Sequence, residues 1–216
     1  ISFYSSVAVF TMSLISTVRQ VKNGIQFHKK RATITIIGSI VGGYLGNVAF
    51  TWLIVIFPNE SFVQIIQIVL TVLSLVFSLM YSVKKWRSLH LASFCWYFLT
   101  GILLGFLASL LGIGGGPINV ALLMFCFAMP IKTATASSIL IILFSQLTKL
   151  VAIGFSPGFA TFDLTMLYAI IPAAIIGGIL GAKLSKILVD KAVARSYQMM
   201  ILFVILLNIS NGILII

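Results

Sequence analysis

A cluster of glycines followed by a proline interrupts an apolar stretch of the chain. Gly112, Gly114, Gly115 and Gly116 precede Pro117. Glycine and proline release backbone groups from helical pairing, and lipid cannot satisfy those groups, so we expect the break to line a cavity that is enclosed by protein or filled with water. A helix that starts after the glycines would present unpaired N–H groups and the positive end of its dipole, and glycine would let a ligand approach the backbone closely. This combination favours an anion as the ligand.

Hydroxyl and amide side chains on neighbouring apolar segments could add donors to this anion site. The residues that we predict to contribute are Ser5, Ser6, Thr135, Ser137, Ser138 and Gln146. Ser137 and Ser138 begin the helix that follows the break, and an earlier helix begins in the same way, which predicts a two-sided cage. We expect Asn119 to serve interhelical hydrogen bonding instead. The alternative interpretation is that the serines cap or pack helices and that the glycines only allow close helix contact.

The charged residues near the apolar segments favour anionic or neutral cargo over cationic cargo. Glu60, Asp163 and Asp190 are the only carboxylates, and all three fall in predicted loops, so the spans offer no buried acid for a proton relay or a cation site. Lys132 and Lys149 could each attract an anion. We expect both to extend to the membrane interface instead.

Enzyme chemistry finds little support in this sequence. No nucleophile, base and orienting acid can be assembled, and no cluster of metal ligands is present. The glycine-rich run 112–116 lacks the Lys-Ser/Thr that follows in a nucleotide-binding loop. Cys95 and Cys126 both lie in apolar segments and indicate neither a disulfide framework nor a thiolate metal site. We therefore predict a protein that is not an enzyme and that needs no cofactor.

The composition places these residues in a membrane. The 216-residue chain is 61% hydrophobic and only 8% charged, with a mean hydropathy of +1.21, which exceeds what a soluble core of this size could bury. The formal net charge of +11 could indicate a nucleic-acid partner, but the basic residues fall mainly in short loops between apolar spans. Membrane topology explains them better, so we expect the lipid bilayer as a partner and no nucleic acid.

Seven segments have about the length that a spanning helix needs, roughly 20 residues. They cover residues 3–18, 32–57, 62–83, 91–111, 133–153, 164–183 and 196–216. The apolar stretch 117–129 is too short to cross easily by itself, so it is either a short broken helix or a re-entrant one. The predicted fold is an all-α, polytopic transmembrane helix bundle with interrupted helices.

The distribution of basic residues orients the bundle. They concentrate in three of the loops, as Arg19, Lys22, Lys29, Lys30 and Arg31, then Lys84, Lys85 and Arg87, then Lys183, Lys186, Lys191 and Arg195. The loops at 58–61 and 154–163 contain no Lys or Arg. The positive-inside rule makes the first group cytoplasmic and the second external. We expect a multi-pass protein of a cell membrane.

An internal repeat accompanies this alternation of charge. A serine pair leads through a loop to Gly42, Gly43 and Gly46, and a second serine pair leads to Gly177, Gly178 and Gly181 in the same Gly-Gly-x-x-Gly pattern. The loop is strongly basic in the first copy and has no base in the second, so the copies would be inverted relative to each other. We predict a partial N-terminal repeat at 1–90 and a C-terminal repeat at 91–216. Chance similarity between glycine-containing membrane helices is the alternative.

A further ordered set of motifs points to a known family. The set comprises Gly101-x-x-x-Gly105, the glycine cluster with Pro117, then Pro130, then Ala134-x-Ala136 followed by the serine pair. It resembles the sulfite exporter TauE/SafE family of membrane permeases. The resemblance implies a multispan permease, of the bacterial plasma membrane, whose relatives are linked to export or uptake of sulfite, sulfonates and related small anions.

Together these features predict a secondary transporter of a small inorganic or organic anion that works by alternating access between two inverted repeats. An anion-selective channel with the same cage, and a membrane scaffold that transports nothing, stay open as alternatives. The sequence leaves the substrate, the direction of transport, the coupling ion and oligomer formation open.

Overall fold

The computed structural model describes residues 2–24, 29–57, 60–84, 87–111, 115–155 and 163–215. Within these ranges the chain forms eight α-helices and no strand, which confirms the all-α prediction. The helices are α1 (Ser2–Lys22), α2 (Lys29–Ile56), α3 (Glu60–Lys84), α4 (Phe94–Leu110), α5 (Gly116–Phe127), α6 (Ile131–Phe155), α7 (Leu167–Ile187) and α8 (Asp190–Ile215). A short 3-10 turn, Leu164–Met166, leads into α7.

Five helices of the described chain are long and apolar enough to cross a membrane, as expected of a multi-pass membrane protein. They cover Lys30–Ile56, Ser61–Lys84, Ile131–Phe155, Leu164–Ile187 and Asp190–Ile213. The two remaining predicted spans, 3–18 and 91–111, correspond to α1 and α4, which do not meet both requirements. The 17 residues of α4 extend over about 25 Å, less than the ~30 Å of a hydrocarbon core.

The helices α4 and α5 form a hairpin with the glycine break at its tip. The N–H of Leu89 donates to the carbonyl of Phe125 (2.8 Å), and the N–H of Leu91 donates to that of Cys126 (2.9 Å). The end of α5 therefore lies beside the segment that enters α4, so α5 returns to the side from which α4 starts. The 12 residues of α5 extend over only about 18 Å. This is less than the thickness of the hydrocarbon core, so α5 is too short to cross it.

Glycines hold α2 and α4 in close parallel contact. A Cβ on Gly42 would overlap the carbonyl oxygen of Ile102, and a Cβ on Gly105 would overlap that of Ser39. Further along, a Cβ on Gly46 would lie 2.5 Å from the carbonyl oxygen of Phe106. Only glycine permits this approach of two backbones, as in other small-residue contacts between membrane helices.

The other helices are joined by polar contacts that run through the bundle. On α1 and α7, Tyr4 Oη donates to the carbonyl of Asp163 (3.0 Å) and Ser16 Oγ donates to that of Gly178 (3.2 Å), so these two helices are parallel. Gln198 on α8 donates to Ser82 Oγ on α3 (2.9 Å). The helix α6 contacts α1, α2, α4 and α5. The apolar core lies between α4, α5 and α6 and comprises Leu104, Val120, Leu123, Ile131, Ala134 and Ile141.

Candidate functional site

The C-terminal carbonyls of α4 are capped by side chains from other helices. The last carbonyls of a helix have no partner within it, and lipid offers none, so such an end needs donors from elsewhere in the protein. Three successive carbonyls receive them. The bonds run from Gln146 Nε2 to Ala108 O (3.3 Å), from Lys149 Nζ to Ser109 O (3.2 Å) and from Gln67 Nε2 to Leu110 O (2.7 Å). The end of α4 that leads into the break is therefore capped by protein groups.

Gly115 lies at the start of α5 and closes the break against α4. Its φ is +64°, in the left-handed region that favours glycine. A Cβ there would lie 3.1 Å from the Cα of Ala108 and 3.1 Å from Oδ1 of Asn119. Among the described residues, a Cβ on Gly116 would have one neighbour within 4 Å, a side-chain atom of Ile142 at 3.9 Å. Gly115 is thus required by the geometry, whereas Gly116 is not. Gly112 and Gly114 lie outside the described residues.

Asn119 presents an amide group with no hydrogen-bond partner beside this start of α5. The residue is 0% exposed, and neither Nδ2 nor Oδ1 has a partner in the described chain. Ser109 Oγ is also buried and has no partner among the described residues. The interhelical hydrogen bond that the sequence predicts for Asn119 is not formed with any described residue. A buried donor left without a partner costs about 1–3 kcal/mol, which favours a ligand at this position.

Lys149 places a positive charge inside the bundle next to the break. It is 2% exposed, and its ammonium group also lies 5.6 Å from the centre of the Phe50 ring. The prediction that Lys149 extends to the membrane interface is therefore wrong. Lys132 is partly exposed and pairs with Asp190 (3.4 Å). An ionisable group buried in a membrane helix is by default a candidate for function.

The predicted hydroxyls separate into three environments. Ser138 is 1% exposed and donates to the carbonyl of Gly116 (3.3 Å), so it belongs to the break. Thr135 donates to the carbonyl of Ile131 in its own helix (2.8 Å). Ser137 faces a separate cavity, described below. The structure thus brings Gly115, Gly116, Ser138 and Gln146 together, and leaves Thr135 and Ser137 outside this group.

Ser5 and Ser6 lie in the first turn and a half of α1. Ser6 is buried and Ser5 is partly buried, and α1 packs mainly against α6 and α7. Both serines make interactions within the bundle. Their contribution to a cage around the anion stays a prediction.

Tyr197, on α8, binds the first turn of α5. Its hydroxyl donates to the carbonyl of Pro117 at 2.6 Å. Together with the bond from Ser138 to Gly116, this contact joins the start of α5 to both α6 and α8. Sequence reasoning did not select Tyr197, because a tyrosine within a predicted span gives no sign of which helix it faces.

A separate cavity of about 40 Å³ lies near the starts of α2, α4 and α6. Its lining includes Arg31, Thr35, Tyr97, Leu123, Thr133 and Ser137. The guanidinium carbon of Arg31 lies 5.5 Å from the centre of the Tyr97 ring. Sequence reasoning assigned Arg31 only to topology, and the cavity gives it a second environment.

The aspartates whose side chains are described lie away from the break. Asp163 is exposed and accepts hydrogen bonds from Thr165, which hold the pKa of the carboxyl below its ordinary value. Asp190 is exposed at the start of α8. In the part of the chain that the structure describes, no group of three or more His, Cys, Asp or Glu side chains could hold a metal ion.

Comparisons with known proteins give two matches. The family model described as "Sulfite exporter TauE/SafE" matches residues 2–209. A "Probable membrane transporter protein YunE" from Bacillus subtilis (strain 168) is 33% identical over 102 residues. That alignment covers 46% of this chain and 36% of the relative, so the chain is matched to little more than a third of the relative's length. No solved structure matches.

Proposed function

Since this chain belongs to the sulfite exporter TauE/SafE family, we propose that it is a secondary transporter, or permease, of small anions such as sulfite or sulfonates. The family and the transporter-like relative support a membrane transporter that is not an enzyme. The bacterial relative supports a place in a bacterial plasma membrane, with the basic loops cytoplasmic. The polar groups at the break between α4 and α5 support an anionic substrate.

The observation that carries the anionic substrate is the buried amide of Asn119, whose two polar atoms have no partner in the described chain. Nδ2 of Asn119 is a hydrogen-bond donor, and its hydrogen bond to an anion is stronger than one to a neutral acceptor. The first turn of α5 adds backbone N–H groups that have no helical carbonyl to bind, as well as the positive end of the helix dipole. The buried charge of Lys149 acts in the same direction. A cation at this position would be repelled by the helix dipole and by the charge of Lys149.

Alternating access between two inverted repeats is part of the proposal, and matched contacts on the two halves support it. Ser13 donates to the carbonyl three residues earlier on α1 (2.9 Å), and Ser145 does so on α6 (3.1 Å). These two serines have the same separation in sequence as the predicted serine pairs. A Cβ on Gly43 would lie 3.1 Å from the Cα of Ser145, and a Cβ on Gly178 would lie 2.9 Å from the carbonyl oxygen of Met12, next to Ser13. Each glycine motif therefore meets the helix of the other half that begins with the serine pair.

The directions of the helices agree with an inverted relationship. The helix α2 runs parallel to α6, since Gly43 meets Ser145 and Phe50 meets Lys149. The helix α1 runs parallel to α7, and the charge pattern assigns α7 the direction opposite to that of α6. The corresponding helices α1 and α6 therefore run in opposite directions.

The two glycine motifs differ in what covers them. Gly42 and Gly46 pack against α4, whereas a Cβ on Gly177 or Gly181 would meet no described atom within 4 Å. This difference matches the prediction of a partial first repeat, in which no described helix corresponds to α4.

Flux into proteoliposomes tests the proposed function. Purified protein is reconstituted, and uptake of sulfite, a sulfonate and chloride is measured under an imposed gradient. We expect saturable uptake, a loss of more than about tenfold with Asn119→Asp, because a carboxylate repels the anion, and a smaller loss with Asn119→Ala. Asn208→Ala is the matched control, since Asn208 bonds within its own helix to the carbonyl of Val204 (2.8 Å).

Folded protein that passes no anion under a gradient would contradict the proposal. Conductance in single-channel steps would replace the carrier with an anion channel. Equal effects of the Asn119 and Asn208 substitutions would remove the break as the substrate site.

A further inference from the structure

The cavity lined by Arg31 lies at a different level of the bundle from the glycine break. Its lining comes from the first turns of α2, α4 and α6, together with residues of α5 and the segment after it. The break lies at the opposite end of α4. The cavity is therefore on the side of the membrane to which the charge pattern assigns the basic loops. An ion that moves between the two positions would pass along α6.

The volume of the cavity suits a small oxyanion. Its 40 Å³ corresponds to roughly three water molecules at about 10–15 Å³ each. A sulfite ion or a sulfonate head group, with three oxygens, replaces about that number of waters. Larger solutes would need the surrounding helices to move apart.

Most of the cavity lining is apolar, and its polar side chains, which can all donate hydrogen bonds, come from α2, α4 and α6. Thr133 and Ser137 both line the cavity, and they are one turn apart on the same face of α6. Arg31 contributes a guanidinium group from α2. Thr35 is different, because its hydroxyl donates to the carbonyl of Arg31 (2.9 Å) and so helps to fix the first turn of α2. None of the lining residues carries a negative charge.

Arg31 has an aromatic partner that an oxyanion can replace. Its guanidinium carbon lies 5.5 Å from the centre of the Tyr97 ring. Tyr97 also stacks on Phe127, with the ring centres 4.0 Å apart and an angle of 7° between the ring planes. Tyr97 is 2% exposed, so the stack keeps it in place when Arg31 turns away. A cation–π contact at a partly exposed site is weaker than a forked, charge-assisted pair between arginine and an oxyanion. Binding of the ion would therefore draw Arg31 from the ring into the cavity.

We infer that the cavity between Arg31, Thr133 and Ser137 is a second binding site for a small oxyanion, distinct from the glycine break and on the side of the basic loops. The inference rests on the proposed anion transport only for the choice of ligand. Since Ser138 faces the break and Ser137 faces the cavity, adjacent residues of α6 serve the two sites. The ion would bind first at the cavity when it enters from the side of the basic loops.

Titration of the detergent-purified protein with sulfite tests this site without requiring transport. We expect two sulfite ions per chain for the wild type. Arg31→Gln should lower the affinity for one of the two ions by more than about tenfold, because the charge and the forked donors are lost together. Arg31→Lys should retain part of that affinity, and Ser137→Ala should weaken the same site by several-fold. Arg195→Gln is the control, since Arg195 is an exposed arginine on α8.

Wild-type stoichiometry and affinity in Arg31→Gln would overturn the second site, and so would an equal loss in Arg195→Gln, which would indicate a general effect of surface charge. Circular dichroism confirms that each variant is folded, and Ser137→Ala tests the site if Arg31→Gln fails to fold. Two bound ions in a protein that shows no flux would contradict the proposed transport while supporting the cavity as a binding site.

Discussion

The ammonium group of Lys149 donates to the carbonyl oxygen of Ser109, 3.2 Å away, in the last turn of α4. Lys149 is 2% exposed, so the contact lies inside the helix bundle. A cation beside the carbonyl end of a helix is stabilised by the helix dipole. The residue therefore has two consequences: it completes the end of α4, and it sets a positive potential at the break where we propose that the anion binds.

Replacing Lys149 with methionine should weaken anion binding more than it weakens the fold. The substitution removes the charge, and the loss of the bond to Ser109 is offset by the relief of burying a cation. We expect sulfite affinity to fall by about tenfold or more, with a small change in thermal stability. Lys186→Met, at an exposed position on α7, should change neither. Calorimetric titration measures the affinity, and wild-type binding by Lys149→Met would remove it from the site.

Gly115 and Gly116 should respond differently to alanine. Gly115→Ala places a Cβ in left-handed backbone and 3.1 Å from Ala108, so we expect a loss of about 1–2 kcal/mol in the free energy of unfolding from the backbone conformation alone. Gly116→Ala meets only the end of Ile142 and should be neutral or slightly stabilising. Thermal unfolding in detergent compares the two. Equal stabilities would show that the break tolerates side chains at both positions.

The two glycine motifs provide a second matched pair. Gly42→Ala would force α2 away from the backbone of α4, and we expect a loss of at least about 1–3 kcal/mol or a failure to assemble. Gly177→Ala has open space around the new methyl group and should leave stability unchanged. Yield of monodisperse protein and its melting temperature are the measurements. Damage from Gly177→Ala that matched that from Gly42→Ala would mean that another helix covers the second motif.

Tyr197→Phe removes the hydroxyl that donates to the carbonyl of Pro117 and also contacts Ser78. The lost bond to the carbonyl of Pro117 should lower the free energy of unfolding by about 0.5–1.5 kcal/mol. Because this bond holds the first turn of α5, the rate of sulfite flux should change as well. Tyr168→Phe is the control, since Tyr168 is 84% exposed. If the two variants had the same flux and stability, the contact with Pro117 would have no part in positioning α5.

Local features of the sequence predicted most of the elements correctly. Long apolar runs predicted the helices, and the glycine cluster predicted the break between α4 and α5, because hydropathy and backbone freedom are properties of neighbouring residues. Local features were less informative for two side chains whose environment depends on facing helices. Asn119 makes no interhelical hydrogen bond in the described chain, and Lys149 is buried instead of extended to the interface.

By itself, the sequence determined an all-helical membrane protein, its family resemblance, and an interrupted helix with glycine at the positions where backbones approach. Tertiary structure alone decided which polar side chains face the break. The reason is that a side chain 38, 40 or 80 residues along the chain from its bonding partner reaches that partner only if its helix presents the right face, as α6 does with Gln146 and Lys149 and α8 does with Tyr197. Hydropathy records that a helix lies in the membrane, and the packing of its neighbours decides the direction in which each buried group points.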